Sequence, residues 1–224
     1  MLSRPGIAAL GAVDDYAFFI WGLLELYEAA FAPRFLRKAI ELNNQMLDLF
    51  WDSDGGGLFF YGLDGEQLFA RPKEIYDGAV PSGNSVAACN LLMLARLTGD
   101  ERLAEKGRQI FKAFAGEVVK QTSAYSFLMV ALLFATGASR EIVVAGKPQA
   151  RDTQAMIKKI NSHYLPNTVV IFHPVGNAGN EIRNLIPYIG EMRPLEGTKA
   201  TAYVCENFAC QAPTMDLDRL EELL

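Results

Sequence analysis

The strongest constraint in this sequence is an alternation of two kinds of helical segment before Gly137. Segments of the first kind are apolar on almost every face, and segments of the second kind carry one apolar stripe and one charged face. The apolar segments are 14–31, 84–97 and 123–134, and the amphipathic segments are 34–50 and 101–114. A helix that is apolar all round is buried, whereas an amphipathic helix keeps one face in solvent. The alternation therefore predicts helical hairpins in an inner and an outer layer.

Two architectures fit such an array, an α-solenoid and an α/α toroid. In a solenoid both helices of each pair usually keep a solvated face, so the toroid explains the alternation better. We therefore predict a mainly α fold, with a partial α/α toroid over residues 1–137. Within it, short apolar runs at 58–61 and 67–70 flank a turn and predict a β-hairpin insertion.

The pattern changes after Gly137 and predicts a small α/β subdomain over residues 138–224. The expected elements are strands at 141–146, 168–172 and 201–205, and helices at 153–164, 181–189 and 216–224. The first two strands flank one helix, so they should be parallel. Pro187 should interrupt the second of these helices, and Asp216 lies near the cap of the last one.

Composition excludes several classes of protein. The chain has 224 residues and a net charge of -5, with no basic stripe, which argues against nucleic-acid binding. Its longest mainly apolar run, 125–135, is too short to cross a membrane. The N-terminus lacks the apolar core of a signal peptide, and three cysteines do not make a disulfide framework. These features predict a soluble cytoplasmic protein without a cofactor.

The histidines and cysteines give weak signals. His163 and His173 have no acidic or cysteine partner at ligand spacing, so no metal site is predicted. Cys205 and Cys210 would face opposite sides of one regular strand, which argues against a disulfide or a shared metal.

A toroid brings polar groups together at one end. Its inner helices run in the same direction, so their N-terminal ends gather at one rim, and the connection 51–81 must return there. Two carboxylates on one rim could act as acid and base. The acid–base candidates are Asp14, Asp15, Glu74 and Asp77. The candidate substrate-binding residues are Tyr16, Trp21, Arg71, Lys73, Tyr76, Ser82, Asn84 and Tyr125. Each residue alone is more often a cap, a loop ion pair or a core ring, so the hypothesis depends on their convergence.

Four stretches together carry a family resemblance: 14–18, 71–74, 77–85 and 203–213. They resemble the C-terminal part of the thioredoxin-domain-containing family that includes bacterial YyaL and the spermatogenesis-associated thioredoxin-like proteins. The resemblance implies a thioredoxin-like domain followed by a six-hairpin glycosidase-like toroid, similar to N-acylglucosamine 2-epimerase. Relative to that pattern, the chain should lack the first domain and the first half of the toroid. Both histidines lie outside the toroid part, so histidines of the epimerase type are not found in these helices.

The resemblance implies a role in carbohydrate metabolism, with sugar hydrolysis or epimerisation by the rim carboxylates and a small sugar as ligand. A non-catalytic binding or scaffold module and an inactive truncated fragment are the alternatives. The inner helices of an incomplete ring would expose apolar surface. We therefore expect self-association or pairing with a separately encoded N-terminal half.

Overall fold

The computed structural model describes residues 10–65, 70–197, 199–206 and 209–224. Five long helices make up the first part of the chain. They are α1 (Val13–Ala30), α2 (Pro33–Phe50), α3 (Gly83–Thr98), α4 (Glu101–Val118) and α5 (Ser126–Thr136), with a 3-10 turn at Thr122–Tyr125 before α5. The predicted segments are confirmed, although α4 continues past its predicted end at residue 114.

The five helices pack in two layers. α3 lies between α1 and α5, while α2 packs on α1 and α4 packs on α3. Nearly every side chain of α3 is buried. Helix α4 approaches it closely at Gly107, where a Cβ atom would lie 3.1 Å from Leu92. The predicted division into inner and outer helices is therefore confirmed for this part of the chain.

The N-terminal ends of α1, α3 and α5 meet at one end of the inner layer, which we call the rim. A Cβ atom at Gly83 would lie 2.2 Å from Asp14 Oδ1 and 2.9 Å from Val13, so the starts of α1 and α3 are in contact. The Asp77 carboxylate accepts hydrogen bonds from Ser82 N and Phe127 N and so joins the starts of α3 and α5. The convergence expected from the alternation is present.

The connection 51–81 reverses direction ahead of the predicted β-hairpin, which stays a prediction. The reversal occurs at Gly56 and Gly57, which have φ angles of 71° and 76° that glycine adopts without strain. Leu58 therefore pairs with Trp51 in an isolated bridge. The amide of Phe60 donates to Pro72 O rather than to a second strand. The predicted second strand, 67–70, lies outside the described residues except for its last position.

The second part of the chain holds a mixed sheet. Its elements are β1 (Arg140–Gly146), α6 (Arg151–Asn161), β2 (Thr168–Pro174), α7 (Ala178–Leu185), a 3-10 turn (Pro187–Glu191), β3 (Thr201–Glu206), β4 (Ala209–Cys210) and α8 (Leu217–Leu223). The strand order is β2-β1-β3-β4. β1 and β2 are parallel, as predicted, and β3 is antiparallel to β1. The predicted interruption at Pro187 is also confirmed, because α7 ends before it.

The two faces of the sheet pack on different partners. Val143, Ile171 and Tyr203 point toward the helical layers and join their core. Ile142 and Val144 point the other way and pack with residues of α6 and α8. This is the period-two alternation of a strand that is covered on both sides.

Helices α1 and α5, which lie on either side of α3 in the inner layer, expose apolar side chains to solvent. Phe19 and Leu26 of α1 are 59% and 48% exposed, and both lie on one helical face. Val130 and Leu133 of α5 are exposed to a similar degree. None of the helices in the described ranges combines the length and the apolarity needed to span a membrane.

Candidate functional site

Asp14 is the carboxylate at the rim with an unsatisfied acceptor. It lies in the first turn of α1, against the start of α3, and one of its oxygens is fully buried without a hydrogen-bond partner among the described residues. Burial raises the pKa of Asp14, and the carboxylates of Glu74 and Asp15 raise it further, whereas the Gly83 amide opposes the shift. Asp14 therefore holds its proton to a higher pH than an ordinary aspartate.

Glu74 and Asp15 flank Asp14 but are exposed. The backbone oxygen of Glu74 accepts a hydrogen bond from Asn84, which fixes the main chain while the carboxylate stays in solvent. Asp15 accepts a hydrogen bond from the amide of Ala12. The N-cap of α1 is therefore Ala12 rather than the predicted aspartates, and Asp15 acts from within the first turn.

Asp77 is engaged by the backbone on both carboxylate oxygens. Oδ1 accepts from Ser82 N, and Oδ2 accepts from Phe127 N and Leu128 N. Two of these donors are free amides at the start of α5, so Asp77 caps that helix. Ser123, at the start of the predicted segment 123–134, lies in the preceding 3-10 turn. With three donors and 8% exposure, Asp77 is a structural link between two helix starts.

Ser82 and Asn84 are also saturated by hydrogen bonds. Ser82 is the N-cap of α3, as predicted, and its hydroxyl accepts from the amide of Ser85. Asn84 accepts from Leu58 N and donates to Leu58 O and Glu74 O. These bonds close the connection 51–81 onto the start of α3, so Asn84 has a structural role as well.

The two cations of the connection hold it to α2 and to its own turn. Arg71 donates to Tyr61 O and stacks over the Phe59 ring. Lys73 pairs with Asp52 and donates to Gly56 O, and this hydrogen bond lowers the pKa of Asp52. Lys73 is therefore neutralised by Asp52, whereas Arg71 keeps its charge and a buried Nε donor without a partner among the described residues.

The four candidate aromatic residues differ in exposure. Tyr76 is 66% exposed beside Asp77, as a sugar-stacking platform would be. Tyr16 packs edge-on against Phe50. Trp21 packs against Phe127 and donates to Glu25. Tyr125 is half-buried and directly precedes α5.

Comparison with known proteins identifies what this region is similar to. Spermatogenesis-associated protein 20 of Homo sapiens is 39% identical over 215 residues, which make up 96% of this chain and 27% of the human protein. The mouse protein of the same name is 36% identical over the same share of both chains. An uncharacterised protein of Caenorhabditis elegans is 30% identical over 210 residues, 28% of its length. No family model matches the chain.

This chain resembles part of spermatogenesis-associated protein 20. It spans about a quarter of the length of the curated relatives that it matches. This similarity agrees with the family resemblance carried by the four sequence stretches, because that family includes the spermatogenesis-associated thioredoxin-like proteins. None of the names of these relatives states a substrate or a reaction.

The cysteines require a correction. Cys205 and Cys210 form a disulfide, although their spacing on one strand argues against it. They lie on two antiparallel strands, β3 and β4, and are direct register partners. Register partners project to the same side of a sheet, so the two sulfur atoms meet. From the sequence alone, the residues between the two cysteines do not show whether the strand continues or the chain reverses.

The histidines lie far from the rim. His173 is buried between Met192 O and Arg183, and burial lowers its pKa. His163 contacts Glu221 across α6 and α8. Within the described ranges, no group of three or more histidine, cysteine, aspartate or glutamate side chains is placed to hold a metal ion.

Proposed function

We propose that the rim is the acid–base site of a carbohydrate-processing α/α toroid, completed by further helices in a longer protein. The two helical layers, the shared direction of the inner helices and the greater length of the relatives support this proposal. The family resemblance supplies the chemistry, sugar hydrolysis or epimerisation. It also implies a thioredoxin-like domain elsewhere in the longer protein.

Asp14 is the proposed general acid, and its environment carries the proposal. Its buried, unpartnered oxygen and its raised pKa favour the protonated form that can donate to a leaving oxygen. A carboxyl group held between two helix starts also has little freedom to reorient. Both properties resemble those of acid residues in glycoside-cleaving sites.

Glu74 is the proposed base. It lies close enough to Asp14 to raise the pKa of that group, yet its own carboxylate is exposed. Two carboxyl groups in unequal environments can divide the roles of acid and base. Asp77 is left out of the chemistry because three backbone amides occupy its oxygens, and Tyr76 is the proposed stacking surface for the sugar ring.

The test combines three substitutions in this chain and in the longest natural form of the protein. Asp14→Asn and Glu74→Gln should each lower turnover of a glycoside and epimerase substrate panel by about a hundredfold or more, as expected for loss of a general acid or base. Asp15→Asn, at the neighbouring exposed carboxylate, is the matched control and should keep most of the turnover. Thermal unfolding should show all three variants folded.

Two outcomes would count against the assignment. Equal turnover in Asp14→Asn and Asp15→Asn would remove Asp14 from the chemistry. Binding of a sugar without turnover by the unsubstituted protein would favour the binding-module alternative.

We further propose that the exposed face of α1 packs against a second copy when this chain is on its own. Phe19 and Leu26 are large, apolar and exposed on one helical face, which is where an inner layer would continue. Light scattering after size exclusion should give a dimer, and Phe19→Glu should give a monomer. Val119→Glu, at an exposed apolar position just after α4, should stay dimeric. A monomeric unsubstituted chain would contradict the proposal.

A further inference from the structure

A crevice of about 730 Å³ lies at the opposite end of the inner layer from the rim. It is bounded by the C-terminal ends of α3 and α5, the start of α4 and the edge of the sheet formed by β1, β3 and β4. Its polar and sulfur-bearing lining includes Arg96, Glu101, Arg108, Glu141, Cys205 and Cys210. The 16 residues of α3 span about 24 Å, so the crevice is separate from the proposed acid–base site. Its volume is in the range of cavities that hold small ligands.

The disulfide forms part of the wall of this crevice. Cys205 is 5% exposed, whereas Cys210, on the edge strand, is exposed. A thiolate that enters the crevice can therefore reach the sulfur of Cys210 more easily than that of Cys205. Access and the identity of the leaving sulfur set the course of thiol–disulfide exchange.

Arg96 is a half-buried cation in the lining of the same crevice. Its guanidinium donates to Asn167 O and Phe134 O and stacks on the Phe134 ring. Carbonyl groups satisfy its donors but do not cancel its charge, and no carboxylate in the described ranges forms an ion pair with it. Burial lowers the pKa of Arg96, although the charge of Glu141 opposes the shift. A carboxylate on a ligand would supply a directly paired counter-charge.

Glu141, on strand β1 of the sheet, contributes a carboxyl group to the crevice. It is the register partner of Cys205 across β1 and β3, so its side chain lies on the same face as the disulfide. The residue is 9% exposed, and burial raises the pKa of its carboxyl group, although the charge of Arg96 opposes the shift. When it holds its proton, a carboxyl group on the same face as a buried leaving sulfur is a suitable proton donor.

We propose that this crevice binds a small thiol that carries a carboxylate and exchanges it with the Cys205–Cys210 disulfide. The thiolate of the ligand attacks Sγ of Cys210, forming a mixed disulfide and breaking the internal bond. The bonding electron pair leaves on Sγ of Cys205, which takes the proton of Glu141. A second ligand thiol then attacks the ligand sulfur of the mixed disulfide. One protein disulfide is reduced, two ligand thiols are oxidised to one small disulfide, and Glu141 regains its proton from solvent.

Reduction of the intact chain by glutathione, with mercaptoethanol as the comparison thiol, tests this proposal. Reactions are quenched with an alkylating agent, and each cysteine is followed by peptide mass spectrometry. At matched thiolate concentration, glutathione should react about tenfold faster, as expected for one added charge-assisted contact. Its rate should saturate with concentration. In Cys205→Ser, the Cys210 thiolate should attack oxidised glutathione, keeping one glutathione as a mixed disulfide and releasing the other as a thiolate, and Cys89 should not react.

Variants at the two charged walls separate binding from general reactivity. Arg96→Gln should remove the preference for glutathione, so that the two thiols react at equal rates. If that variant is unstable, Glu141→Gln provides the second test, and it should slow the reaction with both thiols at pH values where the carboxyl group of Glu141 is protonated. The matched control is Arg102→Gln, an exposed cation of α4 outside the crevice.

Three results would overturn the proposal. The first is a linear concentration dependence with equal rates for the two thiols. The second is equal formation of mixed disulfides on Cys89 and Cys210 when Cys205→Ser is treated with oxidised glutathione. The third is a failure of Cys205 and Cys210 to form a disulfide in the presence of oxidised glutathione.

Discussion

The two ends of α3 differ in what their polar side chains can still bind. At the rim, Asp77 and Asn84 each make three hydrogen bonds to the protein, so they have no capacity left for a ligand. At the crevice, Arg96 and Glu141 make no ion pair in the described ranges, although the charge of each shifts the pKa of the other. The rim is richer in polar residues, and among its described carboxylates Asp14 keeps a buried oxygen without a hydrogen-bond partner.

This difference follows from where the residues lie along the chain. The polar residues of the rim are concentrated in one connection, which must fold back on itself and satisfy its own buried amides. The crevice draws its groups from α3, β1, β3 and the edge strand β4, whose positions are fixed by packing rather than by one another. Abundance of polar residues in a loop is therefore a weaker sign of a site than an unsatisfied group between distant elements.

Replacing Asp77 should have the largest effect and tests the claim of saturation at the rim. Asp77→Ala leaves three backbone amides without an acceptor, two of them at the start of α5, and should lower the free energy of unfolding by about 3 kcal/mol. Urea unfolding measures the change. Asp15→Ala, which removes one exposed cap bond, should cost less than about 1 kcal/mol. Equal costs would show that Asp77 is not the structural link described here.

The next largest effect on the free energy of unfolding is expected from Glu28, near the end of α1 that faces the sheet. Burial raises the pKa of Glu28 to about 7, although the amide of Val170 donates to it. Between its ordinary pKa and pH 7, the folded state holds a proton that the unfolded state has lost. The free energy of unfolding should therefore fall as pH rises through this window, by up to about 3 kcal/mol.

Glu28→Gln isolates this contribution. The variant should be more stable than the unsubstituted chain at pH 8, and its stability should depend less on pH between 5 and 8. Glu117→Gln, at an exposed position of α4, should leave the pH profile unchanged. Parallel profiles for Glu28→Gln and the unsubstituted chain would mean that the carboxyl group is ionised and solvated in the fold.

Much of the architecture could be predicted because helix periodicity is local. The five helices, the broken helix before Pro187 and the parallel pair β1 and β2 each follow from residues that are close in sequence. The convergence of the inner helix starts also follows, since it needs only the alternation of helix types. The predicted rim residues were therefore placed at the correct end of the helical layers.

What could not be predicted depends on pairings across the chain. The sequence makes Asn84 a candidate for binding a ligand. In the structure its side-chain amide is hydrogen-bonded to the backbone of Leu58, 26 positions earlier. The disulfide could not be inferred because the side that Cys210 faces depends on whether the chain continues or reverses after β3. Glu141 is one charged residue in an apolar strand, and its significance appears only when α3 brings Arg96 opposite to it.

Glu141→Gln should have the smallest effect and tests the comparison most directly. Burial raises the pKa of Glu141, so the folded state favours its neutral form and ionisation above the ordinary pKa reduces stability. The substitution should raise the free energy of unfolding at pH 8, by less than about 1 kcal/mol, because the charge of Arg96 offsets part of the penalty. At pH 4 the variant and the unsubstituted chain should be equally stable. Glu101→Gln, at the exposed mouth of the same crevice, should be neutral at both pH values. Loss of stability at pH 8 in Glu141→Gln would mean that a partner holds the ionised carboxylate, and the crevice would then be as saturated as the rim.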